Sequence, residues 1–527
     1  MQNPSAVDVD ALFKQASALH LSGRLHEAIP LYRHLLARFP DSSKLLNNLG
    51  KLAIQTGNLQ EGIGLLRRAI KIDPMQAVAY FNLGDGLRQA GQRQKALRCY
   101  DRSIALQPGN AMAHYHRGLV FESGNNFAAA LACCDMAVSL NAANASFHNT
   151  RANLLLRLGR FEQALASYDH ALALKADYVE AHCNRGHLFQ NLHRNEEALA
   201  CFDHAIALKP DFAHAYLHKS LLTLAMGDYR QGWSLYEWRW KCAAPSYVRH
   251  FSEPLWLGEQ PLAGKTLLVY AEAGLGDVIQ FARYLPLVEA LGARVVLEVP
   301  ASMLSLAATL SRGNLQIVEN GQTLPAFDLQ CPIMSLPLAF KTTLATIPST
   351  FPYLFEDKAK RELWRERLGD KKTARVGLVW SGRVGAEIDF NPCRNRSLPF
   401  ECLQPLLQLP LAFHCLQKDI RPHDAARLAD FPQVALHQGD LHDFSDTAAL
   451  IAEMDLVISI DTSVAHLAGA MGKPLWVLLP FATDFRWTLK ESATPWYPAA
   501  TLFRQPTIGD WTSPVAEVTQ RLQDMRF

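Results

Sequence analysis

The chain has 527 residues, which is more than one hydrophobic core supports, so two or three structural units are expected. Its composition, 49% hydrophobic and 19% charged residues, is typical of a soluble globular protein. A formal net charge of +2 supplies no basic excess to neutralise phosphates, which argues against a nucleic-acid partner.

The start of the chain, MQNPSAVDVD, contains acidic residues and lacks the apolar core of a signal peptide. Every stretch long enough to span a bilayer is interrupted by charge or proline, so no transmembrane segment is expected. The ten cysteines form no Cys-x-x-Cys pair and no Cys/His spacing of a metal site. These features predict a cytoplasmic protein with reduced thiols and no metal.

Residues 9–242 repeat with a period of 34 residues. Small residues share one phase: Ala28, Gly62, Ala96, Ala130, Ala164, Ala198 and Gly232. Bulky residues share a second: Tyr32, Leu66, Tyr100, Cys134, Tyr168, Phe202 and Tyr236. Glycines recur in the first helix of a repeat, at Gly50, Gly84, Gly118 and Gly186. Prolines end the second helix, at Pro40, Pro74, Pro108 and Pro210. Small residues let the two helices approach, and the bulky residues fill the hole between neighbouring repeats. The pattern resembles the tetratricopeptide family and predicts about seven repeats in a protein-binding solenoid.

One slot in the first helices is mostly polar. It holds Asn48, Asn82, His116, Thr150, Asn184 and His218. First helices line the concave groove of such arrays, and the slot is similar to the asparagine ladder of O-GlcNAc transferases. That resemblance implies a groove for an extended peptide or protein partner, with Asn48, Asn82, His116 and Asn184 as its binding residues. A solvated helix face without a ligand is the alternative.

The last repeat ends in a helix with Trp233, Trp238 and Trp240. Three tryptophans are too apolar for a free solenoid end, so we expect all three to pack against the next domain. A connector with Pro245 is predicted over residues 243–263.

From Lys265 onward the pattern alternates between strands and helices. Strands are predicted at 266–270, 294–299, 315–318, 328–331, near 334, 375–380, 411–416, 434–436, 456–460 and 475–479. Helices are predicted at 278–291, 357–369, 398–408, 422–430, 445–453, 463–471 and 513–525.

This order predicts two doubly wound, Rossmann-like α/β domains in series, at 264–356 and 357–527. That is the layout of GT-B glycosyltransferases, whose ligands bind in the cleft between the domains. The predicted fold class is therefore an all-α solenoid over 1–242 followed by a GT-B module.

A glycine-rich turn, Gly274-Leu-Gly276-Asp277, follows the first strand. Its glycines permit a tight turn with exposed N–H groups at a helix start. Asp277 would face the inter-domain cleft. The structural alternative is simple, because Asp is a favoured residue for capping a helix.

A second cluster, Asp461-Thr462-Ser463-Val-Ala-His466, joins a strand to a small-residue helix. Hydroxyls, backbone N–H groups and the positive end of the helix suit a diphosphate. His466 lies one turn into the helix and can donate to the same phosphates. The alternative is a capped core helix with a packed histidine.

Over residues 260–527 these two motifs, in this order, resemble the lipopolysaccharide heptosyltransferase family. Further similar stretches are Arg396–Pro399, Leu416–Asp419, Asp443–Leu450 and the tail with Asp484, Arg486, Trp487, Trp496 and Tyr497. The resemblance implies an inverting, metal-independent transfer from a nucleotide-diphosphate sugar, with no other cofactor. It implies that Asp277 is the general base, that Thr462, Ser463 and His466 hold the leaving diphosphate, and that Asp461 contacts the donor.

Other donor-site candidates follow strand ends. They are Ser381, Gly382, Arg394, Arg396 and Lys418, and the basic residues among them could equally be surface charges. The loop after Gly382 departs from the family pattern by carrying Glu387 and Asp389, which bears on donor choice rather than on the reaction.

Two other functions fit the same residues less well. A non-catalytic scaffold would use the repeats alone, but the chain retains Asp277, Asp461, Thr462 and His466. A relative of O-GlcNAc transferases would carry a His-Thr-Thr loop, and none is present.

Overall fold

The computed structural model describes residues 6–243, 248–310, 313–382 and 391–525. Pro245 of the predicted connector, and Glu387 and Asp389 of the unusual loop, lie outside these ranges. The chain divides into two compact units, Met1–Ala181 and His182–Phe527. The second unit contains the last repeat helices together with two β-sheets. The four segments predicted from the sequence, 1–242, 243–263, 264–356 and 357–527, stay predictions.

Helical hairpins account for the repeat region. The helices are α1 (Ala6–Leu21), α2 (Leu25–Arg38), α3 (Ser43–Gln55), α4 (Leu59–Ile72), α5 (Ala77–Gln89), α6 (Arg93–Leu106), α7 (Ala111–Ser123), α8 (Phe127–Leu140), α9 (Ala145–Arg157), α10 (Phe161–Leu174), α11 (Val179–Asn191), α12 (Asn195–Leu208), α13 (Ala213–Ala225) and α14 (Tyr229–Tyr236). The predicted proline stops are confirmed, because each second helix that precedes one ends two residues before it.

The phased residues pack as a helix pair requires. In unit 1 the recurring alanines, such as Ala96, are fully buried. A Cβ at Gly84 would meet the Tyr100 ring at 2.7 Å, so this glycine makes room for the bulky residue of its own repeat. The ring of Tyr100 also meets His116 of the next repeat edge-on. The bulky residue therefore packs within its own repeat as well as between repeats, where the sequence predicted only the latter.

Two parallel sheets follow the repeats. The first has the order β3-β2-β1-β4, from β1 (Thr266–Tyr270), β2 (Arg294–Val299), β3 (Leu315–Glu319) and β4 (Leu329–Pro332). The second has the order β10-β9-β8-β5-β6-β7, from β5 (Arg375–Val379), β6 (Ala412–Cys415), β7 (Val434–Leu436), β8 (Leu456–Ile460), β9 (Leu475–Leu479) and β10 (Ala500–Arg504).

Two strand predictions need correction. The strand predicted near 334 is wrong, because Ile333–Ser335 form a 3-10 turn as β4 ends at Pro332. The sequence analysis also missed β10, which pairs in parallel with β9 at the edge of the second sheet. A short edge strand depends on the neighbour that pairs with it, and that neighbour is a tertiary feature.

The remaining helices follow the repeats, and most of them lie between strands. They are α15 (Arg239–Cys242), α16 (Leu275–Phe281), α17 (Leu285–Ala290), α18 (Leu304–Ala307), α19 (Leu336–Ala339), α20 (Lys358–Leu368), α21 (Gln404–Leu407), α22 (Pro422–Leu428), α23 (Phe444–Ala452), α24 (Ser463–Ala470) and α25 (Thr512–Asp524).

Two of the predicted helices differ from the structure. The single helix predicted over 278–291 is instead α16, a 3-10 turn and α17. Pro286 explains the break, because it lacks the N–H that would continue the ladder and fits the first turn of a new helix. The helix predicted over 398–408 is a 3-10 turn followed by α21, which has Pro405 in its first turn.

The terminal tryptophans behave differently from one another. Trp233 is 1% exposed and belongs to the same hydrophobic core as both sheets, as predicted. Trp238 instead stacks on Tyr216 of its own repeat, with ring centroids 3.8 Å apart. Trp240 lies under the guanidinium of Arg239. The prediction is therefore confirmed for Trp233 and wrong for Trp238, whose ring partner lies on α13 of the same repeat. For Trp240 it stays a prediction.

None of the helices described here combines the length and the apolar character that crossing a membrane requires.

Candidate active site

A cleft of about 860 Å³ opens where β1, β5, β6 and β8 end. This volume falls in the range of small-molecule sites, at the position where parallel α/β sheets bind ligands. The predicted reaction and donor residues line this one cleft: Gly274, Gly276, Asp277, Ser381, Gly382, Arg396, Lys418, Asp461, Thr462, Ser463 and His466. The fold therefore brings together side chains that lie far apart in the sequence.

Asp277 lies in the first turn of α16, three residues after the cap residue Gly274. Its Oδ2 accepts a hydrogen bond from the Gly274 N–H at 2.8 Å. Its Oδ1 accepts one from the Arg486 guanidinium. The carboxylate thus supports the helix start, as the structural alternative requires. It is also 21% exposed on the cleft side, where a substrate could reach it.

Arg486 is a site residue that sequence reasoning placed only in a supporting stretch. Its guanidinium contacts three partners: Asp277, Gln280 and Asp484. Burial disfavours its charged form, but the Asp484 and Asp277 carboxylates outweigh that effect and raise the pKa of Arg486 above its usual value. No sequence signal pairs Arg486 with Asp277, because 209 residues separate them.

The loop before α24 forms the opposite wall. Thr462 is the cap residue of α24, in extended conformation, and its side chain makes no cap hydrogen bond. Its hydroxyl lies 3.1 Å from the Ser459 hydroxyl instead. The first N–H groups of this helix therefore have no side-chain cap where they meet the cleft, the arrangement that favours an anion. Arg396 lies beside them and donates to the Asp461 carbonyl at 3.2 Å.

His466 is buried against aromatic rings. Its Nδ1 lies 2.8 Å from the Tyr497 hydroxyl, and its ring stacks on Trp487. Burial, together with the nearby Arg486 charge, holds the pKa of His466 well below its usual value, so the imidazole is neutral. A neutral ring that accepts from Tyr497 at Nδ1 carries its proton on Nε2, which lies 3.8 Å from Asp461 Oδ1.

The remaining donor-site candidates contribute differently. Lys418 is exposed and donates to the His442 carbonyl at 2.8 Å. The buried Ser381 hydroxyl accepts from Gln417 Nε2 at 3.0 Å, and the Gly382 N–H donates to the Ser397 hydroxyl at 3.3 Å. Arg394 points away from the cleft and donates to Asn191 Oδ1 of α11 at 2.8 Å, so it is removed from the donor-site candidates.

Gly276 sets how closely α16 approaches α24. A Cβ at this position would lie 2.7 Å from His466 Cδ2. We expect Gly276→Ala to displace His466, with an overpacking cost of about 1–3 kcal/mol that exceeds the roughly 1 kcal/mol helix-propensity gain of alanine. Denaturant unfolding should show lower stability, and nucleoside diphosphate affinity should fall.

Gly64→Ala is the matched control, because a Cβ at this helical glycine of α4 meets nothing within 4 Å. It should stabilise the protein by up to about 1 kcal/mol. Equal effects of the two changes would contradict the role assigned to Gly276.

A buried ionic cluster joins the end of the repeats to the loop that precedes Asp277. Arg239 of α15 donates to Glu272 at 2.8 Å, to Glu237 at 2.6 Å and to Ser335 at 2.8 Å. Burial raises the pKa of Glu272 to about 7, and the Arg239 charge offsets this only in part. Sequence reasoning missed the cluster, because its charged residues carry no motif.

This cluster predicts a pH effect on stability. The pKa of Glu272 is raised from 4.5 to about 7 on folding, so the folded state holds the proton more tightly. Stability contributed by this group is therefore fully present below pH 4.5 and is lost as pH rises through 7, by roughly 3–4 kcal/mol at about 1.4 kcal/mol per pKa unit. Comparing denaturant unfolding of the wild type and Glu272→Gln at pH 5 and pH 7.5 isolates it. A difference between the two proteins that does not change with pH would refute the effect.

The predicted ladder residues already have partners within the array. Asn82, which is buried, donates to Asn47 Oδ1 at 2.9 Å, and Asn48 donates to the Tyr32 hydroxyl at 3.4 Å. His116 contacts the Asp85 carboxylate through Nδ1. Asn184 is half-buried on α11. A peptide in this groove would have to use the remaining hydrogen-bonding capacity of these side chains, and the peptide site stays a prediction.

Comparison with known proteins agrees with both halves of the chain. Tetratricopeptide-repeat family models match residues 19–83, 81–146, 152–192 and 179–212. The model of glycosyltransferase family 9 (heptosyltransferase) matches residues 440–507, which include Asp461, His466 and Arg486. The repeat assignment is thereby confirmed.

One relative is Protein FlbA of Caulobacter vibrioides, 31% identical over 342 residues. The match covers 58% of this chain, and the chain spans about half (54%) of that protein's length. Two solved structures are also similar. A tetratricopeptide repeat protein from Parabacteroides merdae is 18% identical with a TM-score of 0.38, covering 45% of this chain and 94% of its own. TTC0263, a thermophilic tetratricopeptide protein of Thermus thermophilus, is 20% identical with a TM-score of 0.31. The match covers 34% of the chain described here and 98% of TTC0263.

The chain therefore combines tetratricopeptide repeats with a C-terminal region that resembles the heptosyltransferases of glycosyltransferase family 9.

Proposed function

We propose that this protein is an inverting, metal-independent glycosyltransferase that moves a sugar from a nucleotide-diphosphate donor to an acceptor selected by its repeats. The observation that carries the proposal is the single cleft in which Asp277 faces the loop of Asp461 to His466. The match of that loop to the glycosyltransferase family 9 model supports the same reaction.

The two parallel sheets are proposed to form a GT-B module. The first sheet carries the loop of Asp277 after β1, and the second carries the loop of Asp461 after β8. A donor bound at the second sheet would present its anomeric carbon towards Asp277. The cleft offers suitable room, because ligand sites for small molecules commonly enclose about 300–1,000 Å³.

Asp277 would act as the general base. It accepts the proton of the acceptor hydroxyl as that oxygen bonds to the anomeric carbon from the side opposite the phosphate. The bond between the anomeric carbon and the donor phosphate oxygen breaks, and the nucleoside diphosphate leaves with the electron pair. Attack from the opposite side inverts the configuration at the anomeric carbon.

The second wall of the cleft would stabilise the leaving diphosphate. The N–H groups at the start of α24 and the Thr462 and Ser463 hydroxyls can donate to it. Arg396 and Lys418 supply positive charge at the same opening. Fixed donors and cations aimed at developing charge commonly make the largest contribution to such catalysis. His466 would donate from Nε2.

The repeats would choose the acceptor. Tetratricopeptide repeats indicate a protein partner, and α12–α14, with most of α11, belong to the same compact unit as the cleft. The acceptor is then a polypeptide, or a glycan on a protein held by the repeats.

A donor panel tests the proposal. The purified 527-residue chain is incubated with nucleotide-diphosphate sugars, including UDP-, GDP- and ADP-linked sugars, with and without EDTA. Nucleotide release and mass shifts of proteins in a lysate are then measured. We expect release with one donor class that EDTA does not reduce.

Two results would count against the proposal. Absence of turnover, together with absence of thermal stabilisation by any nucleotide, would favour a non-catalytic scaffold that works through its repeats. Activity that EDTA abolishes would refute the metal-independent mechanism while leaving the transferase in place.

A further inference from the structure

We propose that Arg486 is the positioning residue of the reaction, holding the Asp277 carboxylate in the orientation from which it removes the acceptor proton. This inference rests on the proposed function, because it assumes that Asp277 is the base. It assigns a role to a residue that the sequence analysis named only as part of a supporting stretch. Its basis is a contact between the loop after β9 and the helix after β1.

The guanidinium of Arg486 is held on three sides. Its Nε donates to Gln280 Oε1, its Nη2 to Asp277 Oδ1, and its Nη1 to Asp484 Oδ1 at 2.7 Å. Asp277 and Gln280 lie three residues apart on α16, so they present one face of that helix to the same group. The planar fork of Arg can satisfy such a set simultaneously, which a lysine ammonium cannot do.

This arrangement orients Asp277 without blocking it. Arg486 engages one carboxylate oxygen, and the Gly274 N–H engages the other at 2.8 Å. An ionised carboxylate has about four lone-pair sites on its two oxygens, so two such contacts leave room for an acceptor hydroxyl. The plane of the carboxylate is therefore set before substrate arrives.

The loop that carries Arg486 is itself anchored. The Arg486 carbonyl accepts from the Thr494 hydroxyl at 2.6 Å. Arg504 binds the carbonyl of the next residue, Trp487, and donates to the Thr483 hydroxyl at 3.3 Å. The Arg486 side chain is only 9% exposed. A buried arginine on a tethered loop is a rigid support for a reacting group.

The same contacts argue against a phosphate-binding role for Arg486. Three of its five N–H donors are engaged, and two carboxylates balance its charge. Arg396 is 55% exposed beside the start of α24, so it is the better placed cation for a diphosphate. Arg486 should therefore affect the rate of transfer rather than the affinity for the donor.

The test uses the 527-residue chain and the donor identified by the panel. Arg486→Ala should lower kcat about 10²-fold, because a misplaced reacting group commonly costs that much. The KM for donor and the Kd for the nucleoside diphosphate should change less than about threefold, which is under 1 kcal/mol. Added guanidinium ion should restore part of the lost rate in Arg486→Ala, and Arg486→Lys should retain more activity than Arg486→Ala.

Arg375→Gln is the matched control. Arg375 is also buried and also meets a carboxylate, Glu453 at 3.6 Å, but it lies at the start of β5 and does not line the cleft. This change should lower thermal stability and leave kcat per folded molecule at the wild-type value. A rate effect as large as that of Arg486→Ala would mean that lost stability, not lost orientation, explains both.

The outcomes separate the two proposals. A wild-type protein with no turnover for any donor overturns the proposed function and this inference with it. A wild-type protein that turns over while Arg486→Ala keeps its kcat overturns only this inference. A tenfold or larger rise in the nucleotide Kd of Arg486→Ala, without guanidinium rescue of kcat, would make Arg486 a phosphate ligand and also overturn it.

Discussion

Replacing Asp277 with Asn should lower the rate of sugar transfer by roughly 10²–10⁴-fold, the usual contribution of a positioned general base. Asn keeps the size of the side chain but cannot accept a proton at the reacting position. The Kd for the nucleoside diphosphate should stay near the wild-type value, because the groups proposed to donate hydrogen bonds to the diphosphate, Thr462 and Ser463, lie on the opposite wall of the cleft. Initial rates and a direct binding measurement check the two parts separately.

Asp484→Asn provides the matched comparison for this variant. Asp484 also gives a carboxylate oxygen to the Arg486 guanidinium, at 2.7 Å, and also lines the cleft. Each of the two substitutions therefore removes one negatively charged carboxylate that contacts Arg486. Asp484→Asn should reduce kcat far less than Asp277→Asn. Equal losses would indicate that both carboxylates act only through Arg486. A wild-type rate in Asp277→Asn would mean that Asp277 only stabilises the first turn of α16 and is not the general base.

The second large effect concerns where the chain can be divided. A fragment that starts at residue 177, ahead of α11, should fold and bind nucleotide, whereas a fragment that starts at residue 243 should aggregate or unfold. Leu224, Tyr229 and Trp233 belong to the same hydrophobic core as the sheets. The Tyr229 hydroxyl also accepts from Trp496 Nε1 at 2.9 Å.

Removing these helices would expose large apolar surfaces, since each buried aromatic covers about 150–250 Å². Exposed patches of that extent promote aggregation. Circular dichroism, thermal unfolding and nucleotide binding of the two fragments make the comparison. A cooperatively folded fragment 243–527 with wild-type nucleotide affinity would show that the cleft does not need the helices that precede it in the second compact unit.

The sequence located the elements that local periodicity controls. The repeat helices and their proline stops follow from the 34-residue period, and β1, β2, β8 and β9 have the bounds predicted from their largely apolar sequences. Interruptions within helices and short edge strands were harder to predict from the sequence. The break at Pro286 could have been read from the proline itself, whereas β10 depends on pairing with β9 and carries no comparable signal.

For the site, the sequence alone determined the two loops, Gly274–Asp277 and Asp461–His466, because each combines a strand end, small residues and a helix start within a few positions. Only the tertiary structure decided which side chains meet them. Arg486 reaches Asp277 across 209 residues, and Arg239 reaches Glu272 from the end of the repeats. The structure likewise placed Trp233 in the core and Trp238 on Tyr216. The physical reason is that backbone periodicity and turn chemistry are local properties of the chain, whereas an ion pair or a packed ring depends on a partner that only folding brings near.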